Sequence, residues 1–332
     1  MGSLPRKAIA RSILIARDLG DLLVAGLVAG AITLARLLPE KATTRLAVFL
    51  AVSIGMRLPV SRKVGLKNLA IAFPAKSEAE RRAILVECWA NLGRTAIEYL
   101  FLDRIWDFDP ATMTGARVRF TEGSVERFLR LRDDGKPAII VSAHLANWEL
   151  PMVAAASHGL DAAALFRAPN NRYVADWVLR RRRVAMGELI SARRGSVHLL
   201  ASVVEQGRHL GLLCDQYYIG GPLRPLFGRP TRMNATFARI ARLHDCPVHA
   251  VRVIRAADGG FLLDLTEELV LPRDARGRID PVGAVDVVAR LLEAWITEHP
   301  GQWLWLARRW RDVDLQDTAP GESALHDRGG SA

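Results

Sequence analysis

The 332-residue sequence contains only three cysteines, Cys88, Cys214 and Cys246, and they are far apart in the chain. Because it has neither a Cys-x-x-Cys pair nor closely spaced cysteines, the sequence indicates neither a structural zinc site nor a disulfide-stabilised fold. A reducing compartment is therefore the simpler expectation.

The sequence also lacks the Gly-x-Ser-x-Gly motif that presents a nucleophilic serine in α/β-hydrolases. His244 and His249 flank a short turn, a pattern that favours surface positions over metal binding. The Gly-Gly-Pro at residues 220–222 predicts a turn rather than a phosphate-binding loop. We therefore expect neither a serine acyl-enzyme nor a bound cofactor or metal.

Acidic residues are outnumbered by basic ones. With 46 Lys and Arg against 35 Asp and Glu, the formal net charge is +11. Such a charge predicts attraction to an anionic partner, which charge alone leaves open between nucleic acid, phospholipid headgroups and an acidic carrier protein. The densest basic run is Arg at each of residues 180–183. Four consecutive residues surround a whole helical turn, so a solvated face is the default interpretation of that run.

One long apolar run is present near the N-terminus. Residues 22–38 are apolar almost throughout, interrupted by Arg36, and a second apolar stretch follows at 46–56. A spanning helix needs about 20 residues, a length this run approaches if Arg36 extends to the headgroups. Basic residues precede the run and no small-residue cleavage site follows it, so we expect an uncleaved anchor with a cytoplasmic N-terminus. The run leaves three arrangements open, namely a spanning helix, an interfacial helix and a buried core helix.

The remaining chain predicts an α/β fold in which a mixed central sheet is flanked by helices, because short apolar runs alternate with helical patterns. We expect strands over residues 138–142, 164–167, 210–214, 248–254, 261–266 and 303–306. We expect helices over residues 77–100, 150–156, 173–186, 196–205, 234–243 and 282–299. The predicted organisation is therefore a membrane-associated helical region at 1–60, an α/β domain at 61–312 and a disordered tail at 313–332.

A candidate catalytic pair, His144 and Glu149, directly follows the strand predicted at 138–142. Pro151 is tolerated only in the first turn of a helix, so the next helix begins between residues 147 and 150 and His144 lies in the turn before it. A histidine held there can fold back onto a first-turn carboxylate, which fixes its tautomer and raises the basicity of the other ring nitrogen. The pair therefore predicts a general base for a hydroxyl group, with Glu149 as its orienting partner.

Several segments resemble, in the same order, those of the lipid A late acyltransferases, the lauroyl and myristoyl transferases of lipopolysaccharide synthesis. His144 and Glu149 fit the family motif H-x-x-x-x-[D/E]. The other matching segments are residues 68–74, the 77–100 helix with Trp89, Asn91 and Glu98, residues 166–177, Asp215-Gln216, residues 225–228 with 235–241, and residues 300–310. The resemblance runs from about residue 11 to 311, and Ala307 departs from it because the family usually has His there.

The resemblance implies acyl transfer from an acyl-acyl carrier protein to a hydroxyl on a phosphorylated, Kdo-bearing glucosamine disaccharide of the lipid IVA type. Arg167 ends the second predicted strand and is our candidate for stabilising the oxyanion of the tetrahedral intermediate, although a salt bridge holding that loop would explain it equally. Asp215 also ends a predicted strand, where open α/β sheets place ligand-binding groups. Candidate substrate-binding residues are Asn147, Asn170, Asp215, Gln216, Arg308 and Arg309.

Two alternatives stay open at this stage. The same motif chemistry would serve an acyl-CoA-dependent enzyme that acylates another glycolipid or lysophospholipid, such as a mannosylated phosphatidylinositol. The positive charge would also suit a nucleic-acid-binding protein, but no motif of that class is present, so nucleic acid is not an expected partner. The expected partners are an acyl carrier protein, a glycolipid acceptor and an anionic membrane surface. The expected location is the cytoplasmic face of a bacterial inner membrane.

Overall fold

A computed structural model describes residues 4–109, 111–112, 114–166, 171–192 and 196–311 of the chain. The helices are α1 Leu4–Leu37, α2 Glu40–Gly55, α3 Pro59–Ala72, α4 Glu78–Glu98, α5 Leu102–Ile105, α6 Ser124–Asp133, α7 Leu150–Ser157, α8 Arg172–Met186, α9 Ser196–Glu205, α10 Thr236–His244 and α11 Pro281–Glu298. The strands are β1 Val118–Phe120, β2 Ile139–Ser142, β3 Ala162–Phe166, β4 Glu188–Ser191, β5 His209–Leu213, β6 Leu223–Leu226, β7 Arg229–Arg232, β8 Val248–Arg255 and β9 Phe261–Leu265. Short 3₁₀ helices occupy Tyr99–Phe101 and Pro300–Gln302. The predicted α/β class is confirmed.

Seven strands form the central sheet in the order β1-β9-β8-β2-β5-β3-β4. The five strands from β8 to β4 run parallel, whereas β9 pairs antiparallel with β8 and parallel with β1. A parallel sheet is normally covered on both faces, and this one is. Because β2, β5 and β3 run parallel, their carboxyl ends lie along one edge of the sheet.

Alternating side chains of each strand contribute to different cores. In β2, Ile139 and Val141 pack into the largest core with α3, α4, α9, α10 and α11, while Ile140 faces the opposite side with α6 and α7. In β5, Leu210 and Leu212 likewise join the largest core. The face toward α6 and α7 is the one that carries the large cavity described below.

The N-terminal region folds onto the α/β domain through α2. This helix packs along α4, and the two backbones approach so closely at Gly93 that a Cβ there would lie 2.9 Å from the carbonyl oxygen of Ala47. The α4 helix begins with a capping box, in which Glu80 N donates to Ser77 Oγ and Ser77 N donates to Glu80 Oε2. The boundary near residue 60 between an anchor and a catalytic domain remains a prediction.

One predicted strand is wrong. Residues 303–306 follow a 3₁₀ turn and make a single bridge, from Trp303 to Leu145, because their neighbour is the loop after β2 rather than another strand. The sequence patterns also missed α6, the edge strands β1 and β4, and the β6–β7 hairpin. The four missed strands are three or four residues long and show little alternation of apolar and polar residues. The predicted tail at 313–332 lies outside the described residues.

Candidate active site

The register of the sheet brings His144 and Asp215 together. In the parallel pair β2–β5, Ser142 is aligned with Leu213, and each of the two candidate side chains follows its strand two residues later. Since parallel strands end at the same edge, the two loops leave the sheet side by side. The contact is therefore a direct consequence of strand pairing.

Asp215 contacts both the backbone and the ring of His144. Its Oδ1 lies 2.7 Å from Nδ1 of His144, while its Oδ2 accepts from His144 N at 2.9 Å and from Trp303 Nε1 at 2.7 Å. The carboxylate is 2% exposed. Burial alone would raise its pKa, but the charge of His144 and the hydrogen bonds from His144 and Trp303 outweigh it, so the pKa of Asp215 lies below its ordinary value. Asp215 is thus held ionised beside the ring.

This contact assigns the tautomer of His144. With Nδ1–H donating to the Asp215 carboxylate, Nε2 is the unprotonated nitrogen, and the Gln216 amide nitrogen lies 3.3 Å from it. The ring of Trp148 packs beside the imidazole at a centroid distance of 5.1 Å. The arrangement can act as a general base whose second nitrogen is oriented by a buried carboxylate.

The carboxylate of Glu149 makes different contacts from those predicted. It pairs with Arg182 at 2.5 Å and accepts a hydrogen bond from the hydroxyl of Tyr99. The hydrogen bonds of the His144 ring among the described residues go to Asp215 and Gln216, so Asp215 rather than Glu149 makes the orienting contact in this structure. The reason is sheet register, which places the chain after β5 opposite His144. Burial raises the pKa of Glu149 above its ordinary value, against the opposing effect of Arg182.

Arg182 was missed as a site residue because it belongs to the run interpreted as a solvated face. Its side chain is 14% exposed, whereas Arg180, two residues earlier, is 72% exposed and lies 4.0 Å from Asp176. Four consecutive arginines surround a helix, so at least one of them must face the protein. Arg182 is that residue, because it pairs with the buried carboxylate of Glu149 beneath α8. No comparable pattern in the local sequence predicts the contacts of Tyr99, Glu98 and Trp303.

Asn147 supports the loop from within and is fully buried, and the substrate contact suggested by the resemblance stays a prediction. Its amide nitrogen donates to Glu98 at 3.0 Å and its carbonyl accepts from the backbone N of Glu149 at 3.2 Å. Glu98 in turn pairs with Arg255, with a closest distance of 2.5 Å. The three side chains form a buried brace behind the catalytic loop.

The segment at 300–305 completes the loop. Leu304 N donates to the carbonyl of His144 at 3.2 Å, and Ala146 N donates to the carbonyl of Gln302 at 3.0 Å. Between these contacts Ala146 adopts a left-handed φ of 46°, a conformation that a non-glycine residue takes only when its surroundings fix it. The residues before the helix α7 are therefore held tightly on both sides.

A cavity of about 520 Å³ opens beside His144 and lies between the sheet and α6–α7. Polar groups are concentrated at its catalytic end, where His144, Glu149, Gln216 and Arg182 face it. Its walls are otherwise apolar and include Phe120, Phe128, Leu131, Ile140, Met152, Leu160, Ala162, Ala164, Leu165, Phe166, Met186, Val251, Leu263 and Leu265. Its size and lining suit a ligand with a long apolar portion and one reactive polar end.

The remaining predicted residues occupy different positions. Arg308 is exposed. Arg309 is 1% exposed and donates to Thr231 Oγ1 and the Arg232 carbonyl, and burial lowers its pKa to about 10. It thus braces β7 and also lines a small pocket with His144, Asp215 and Gln216, so substrate binding by this side chain stays a prediction. Arg167 and Asn170 lie outside the described residues.

The fold and site together define an α/β protein with a histidine–aspartate pair at the mouth of an apolar cavity. The family model described as "Bacterial lipid A biosynthesis acyltransferase" matches residues 15–312. The chain belongs to this family and is an O-acyltransferase of lipid A biosynthesis.

Two curated relatives agree with that assignment. The chain is 26% identical over 299 residues to "Lipid A biosynthesis palmitoleoyltransferase" of Escherichia coli (strain K12), across 84% of this chain and 87% of the relative. It shows the same identity and coverage with "Lipid A biosynthesis acyltransferase" of Shigella flexneri. The predicted resemblance is confirmed, and it favours the enzyme over the nucleic-acid-binding alternative.

Proposed function

We propose that the chain transfers a fatty acyl group from an acyl-acyl carrier protein to a hydroxyl of a Kdo-bearing lipid IVA-type acceptor. The observation that carries this proposal is the His144–Asp215 pair at the mouth of the apolar cavity. The cavity offers apolar walls for an acyl chain and places a general base at its polar end. Family membership supports the lipid A precursor as acceptor class.

In the proposed reaction, Nε2 of His144 takes the proton of the acceptor hydroxyl as its oxygen attacks the thioester carbonyl. The C–S bond breaks when the tetrahedral intermediate collapses, and the proton passes from the imidazolium to the departing phosphopantetheine thiolate. Asp215 stabilises the imidazolium that forms in between. Acyl transfer is then complete with an ester, a free thiol and the enzyme in its initial state.

The oxyanion of the intermediate requires a donor near the cavity mouth. We propose Arg167 for this role, because it comes directly after β3 in the sequence, as His144 and Asp215 come shortly after β2 and β5. Glu149 contributes by holding Arg182 against the polar end of the cavity. We propose that Gln216, Asn170 and Arg308 contact the acceptor.

We also propose that the enzyme works on the cytoplasmic face of the bacterial inner membrane. The α1 helix contains one segment, Asp18–Leu37, long and apolar enough to cross a bilayer. An acyl carrier protein is acidic and cytosolic, and the net charge of +11 favours both this donor and an anionic membrane surface.

Purified full-length enzyme should acylate Kdo-lipid IVA with acyl-acyl carrier protein, measured by mass spectrometry of the lipid product. His144→Ala should reduce turnover by at least about 10³-fold while the protein stays folded by circular dichroism. Equal turnover with acyl-CoA would contradict the proposed donor. Acylation of a lysophospholipid in place of the lipid A precursor would contradict the proposed acceptor. Near wild-type turnover by a folded His144→Ala variant would contradict the assignment of His144 as the general base.

A further inference from the structure

A second apolar groove of about 500 Å³ lies on the outside of the protein, between α1, α4 and α8. Its lining is apolar except at its inner end, where Tyr99 and Arg182 provide polar atoms. The apolar lining residues are Val28, Ile32, Ala35, Ala96, Ile97, Leu100, Trp177 and Val178. The groove is open to the surroundings along its length, and its volume matches that of a small-molecule site.

The helix α1 separates the groove from a large exposed apolar surface. Its residues at 21, 25, 28, 32 and 35 are half-buried at helical spacing, and α1 packs along α8. The outward face is apolar as well, with Leu23 and Leu27 each 68% exposed and Leu34 61% exposed. A helix that is apolar on both faces and covered on only one needs an apolar environment for the other, and a lipid bilayer supplies one.

The neighbouring helix enlarges this surface. On α2, Phe49 is 65% exposed and Ile54 is 55% exposed. Contiguous apolar area of this extent is unusual on a soluble monomer and marks an interaction surface. The groove therefore opens beside the face of the protein that is best suited to contact lipid chains.

The inner end of the groove and the catalytic cavity share a wall. Arg182 lines both spaces, and Tyr99, which lines the groove, donates to Glu149, which lines the cavity. Arg182 also lies 5.1 Å from the centre of the Tyr99 ring. Three side chains thus separate a bilayer-side apolar groove from the general base.

Resting on the proposed function, we propose that this groove binds an acyl chain already carried by the membrane-embedded acceptor lipid. The donor chain then occupies the cavity and the acceptor chain the groove, so that the acceptor reaches the site without leaving the bilayer completely. Arg182 and Tyr99 form the polar partition at which the acceptor headgroup enters the site. A phosphorylated headgroup suits this position because Arg182 is a cation there.

Filling the groove tests the proposal. Val28→Trp fills it from α1 and Ala96→Trp fills it from α4, while Leu27→Trp adds the same ring to the outward face of α1 as a matched control. Each methylene displaced from an apolar site weakens binding about fourfold, so displacing two predicts a rise in acceptor KM on the order of tenfold. Both groove variants should show this rise with a long-chain acceptor and none with an acceptor whose chains are shortened, and Leu27→Trp should match the wild type.

The outcomes separate the groove from the proposed function. If the wild-type enzyme transfers no acyl group, the proposed function fails. If it transfers normally and the groove variants behave like Leu27→Trp, the groove proposal is overturned. If the variants change the oligomeric mass in detergent while the acceptor KM is unchanged, the groove seats a second copy of the chain, which also overturns the proposal.

A binding measurement that does not depend on turnover distinguishes the loss of lipid binding from the misfolding of a variant. Trp177 lines the groove, so phosphatidylglycerol vesicles with chain-brominated lipid should quench a component of the wild-type fluorescence that is missing in Trp177→Phe. Adding unbrominated acceptor lipid should restore that component by displacing the brominated chain. Equal fractional quenching of wild type and Trp177→Phe would show that lipid chains do not enter the groove.

Discussion

The carboxylate of Asp215 lies 2.7 Å from Nδ1 of His144 and also accepts the backbone N–H of the same residue. A single buried side chain therefore fixes both the ring tautomer and the loop that carries it. The partner expected from the sequence, Glu149, forms a separate ion pair with Arg182. Two buried carboxylates with different surroundings thus lie near His144, and of these Glu149 lines the cavity.

We expect Asp215→Asn to inactivate the enzyme with little change in fold. The amide is the same size but cannot stabilise the imidazolium, and it favours the other tautomer of His144. The loss in kcat should be about 10³–10⁴-fold, as for an orienting aspartate in a catalytic triad. The measurement is the rate of transfer to Kdo-lipid IVA, and a folded variant with more than a tenth of wild-type kcat would contradict the orienting role.

The stability contributed by Asp215 should depend on pH in a defined direction. Its pKa is lowered from the ordinary value of 3.8, so its ionised form stabilises the fold above about pH 3.8 and this contribution is lost as the pH falls through the lower folded-state value. The difference in the free energy of unfolding between wild type and Asp215→Asn, measured in urea, should shrink only as the pH falls below about 3.8. A difference that already shrinks near pH 6 would indicate a raised pKa and contradict the assignment.

The Glu149–Arg182 pair should behave as a buried ion pair. The side chains are 7% and 14% exposed, so Arg182→Met leaves a buried carboxylate and should cost about 3–5 kcal/mol, most of it restored by adding Glu149→Gln. Arg180→Met is the matched control in the same run, and its exposed position predicts a change of about 0–1 kcal/mol. Chemical denaturation of the wild type, the two single variants, the double variant and Arg180→Met checks this, and additive effects of Arg182→Met and Glu149→Gln would refute the coupling.

The brace behind the loop should affect stability and rate together. Asn147→Ala removes one hydrogen bond from Glu98, which keeps its pair with Arg255, and removes the acceptor of the Glu149 backbone N, which predicts a loss of about 1–3 kcal/mol of stability. The rate constant kcat should fall while the donor KM changes little, because Asn147 is buried away from the ligand space. An unchanged kcat in a destabilised protein would limit the brace to a structural role.

Local sequence signals predicted much of this fold. The helices α7, α9 and α11 begin and end within a residue of the predicted limits, since each is rich in apolar residues and α7 and α11 carry a proline in the first turn. The short edge strands β1 and β4 could not be predicted this way. Three or four residues give too few alternations to separate a strand from a loop.

The candidate site was predictable in its members more than in its contacts. His144 and Asp215 each follow a strand, and that much is local. Which strand lies beside β2 is not, because the order β8-β2-β5 is set by long-range packing of apolar faces. Without that order, spacing favours Glu149 as the partner. The burial of Asn147 and Arg309 is likewise invisible in a sequence that shows only polar residue types.

The contacts from Trp303 and Leu304 also govern when the enzyme becomes active during its own synthesis. His144 leaves the ribosome roughly 160 residues before these partners, an interval of roughly 8–30 s at ordinary translation rates. Throughout that time the apolar N-terminal helix is available to the membrane while Asp215 lacks its indole donor. A nonsense mutation before codon 303 would therefore remove both the indole donor to Asp215 and the backbone donor to the His144 carbonyl.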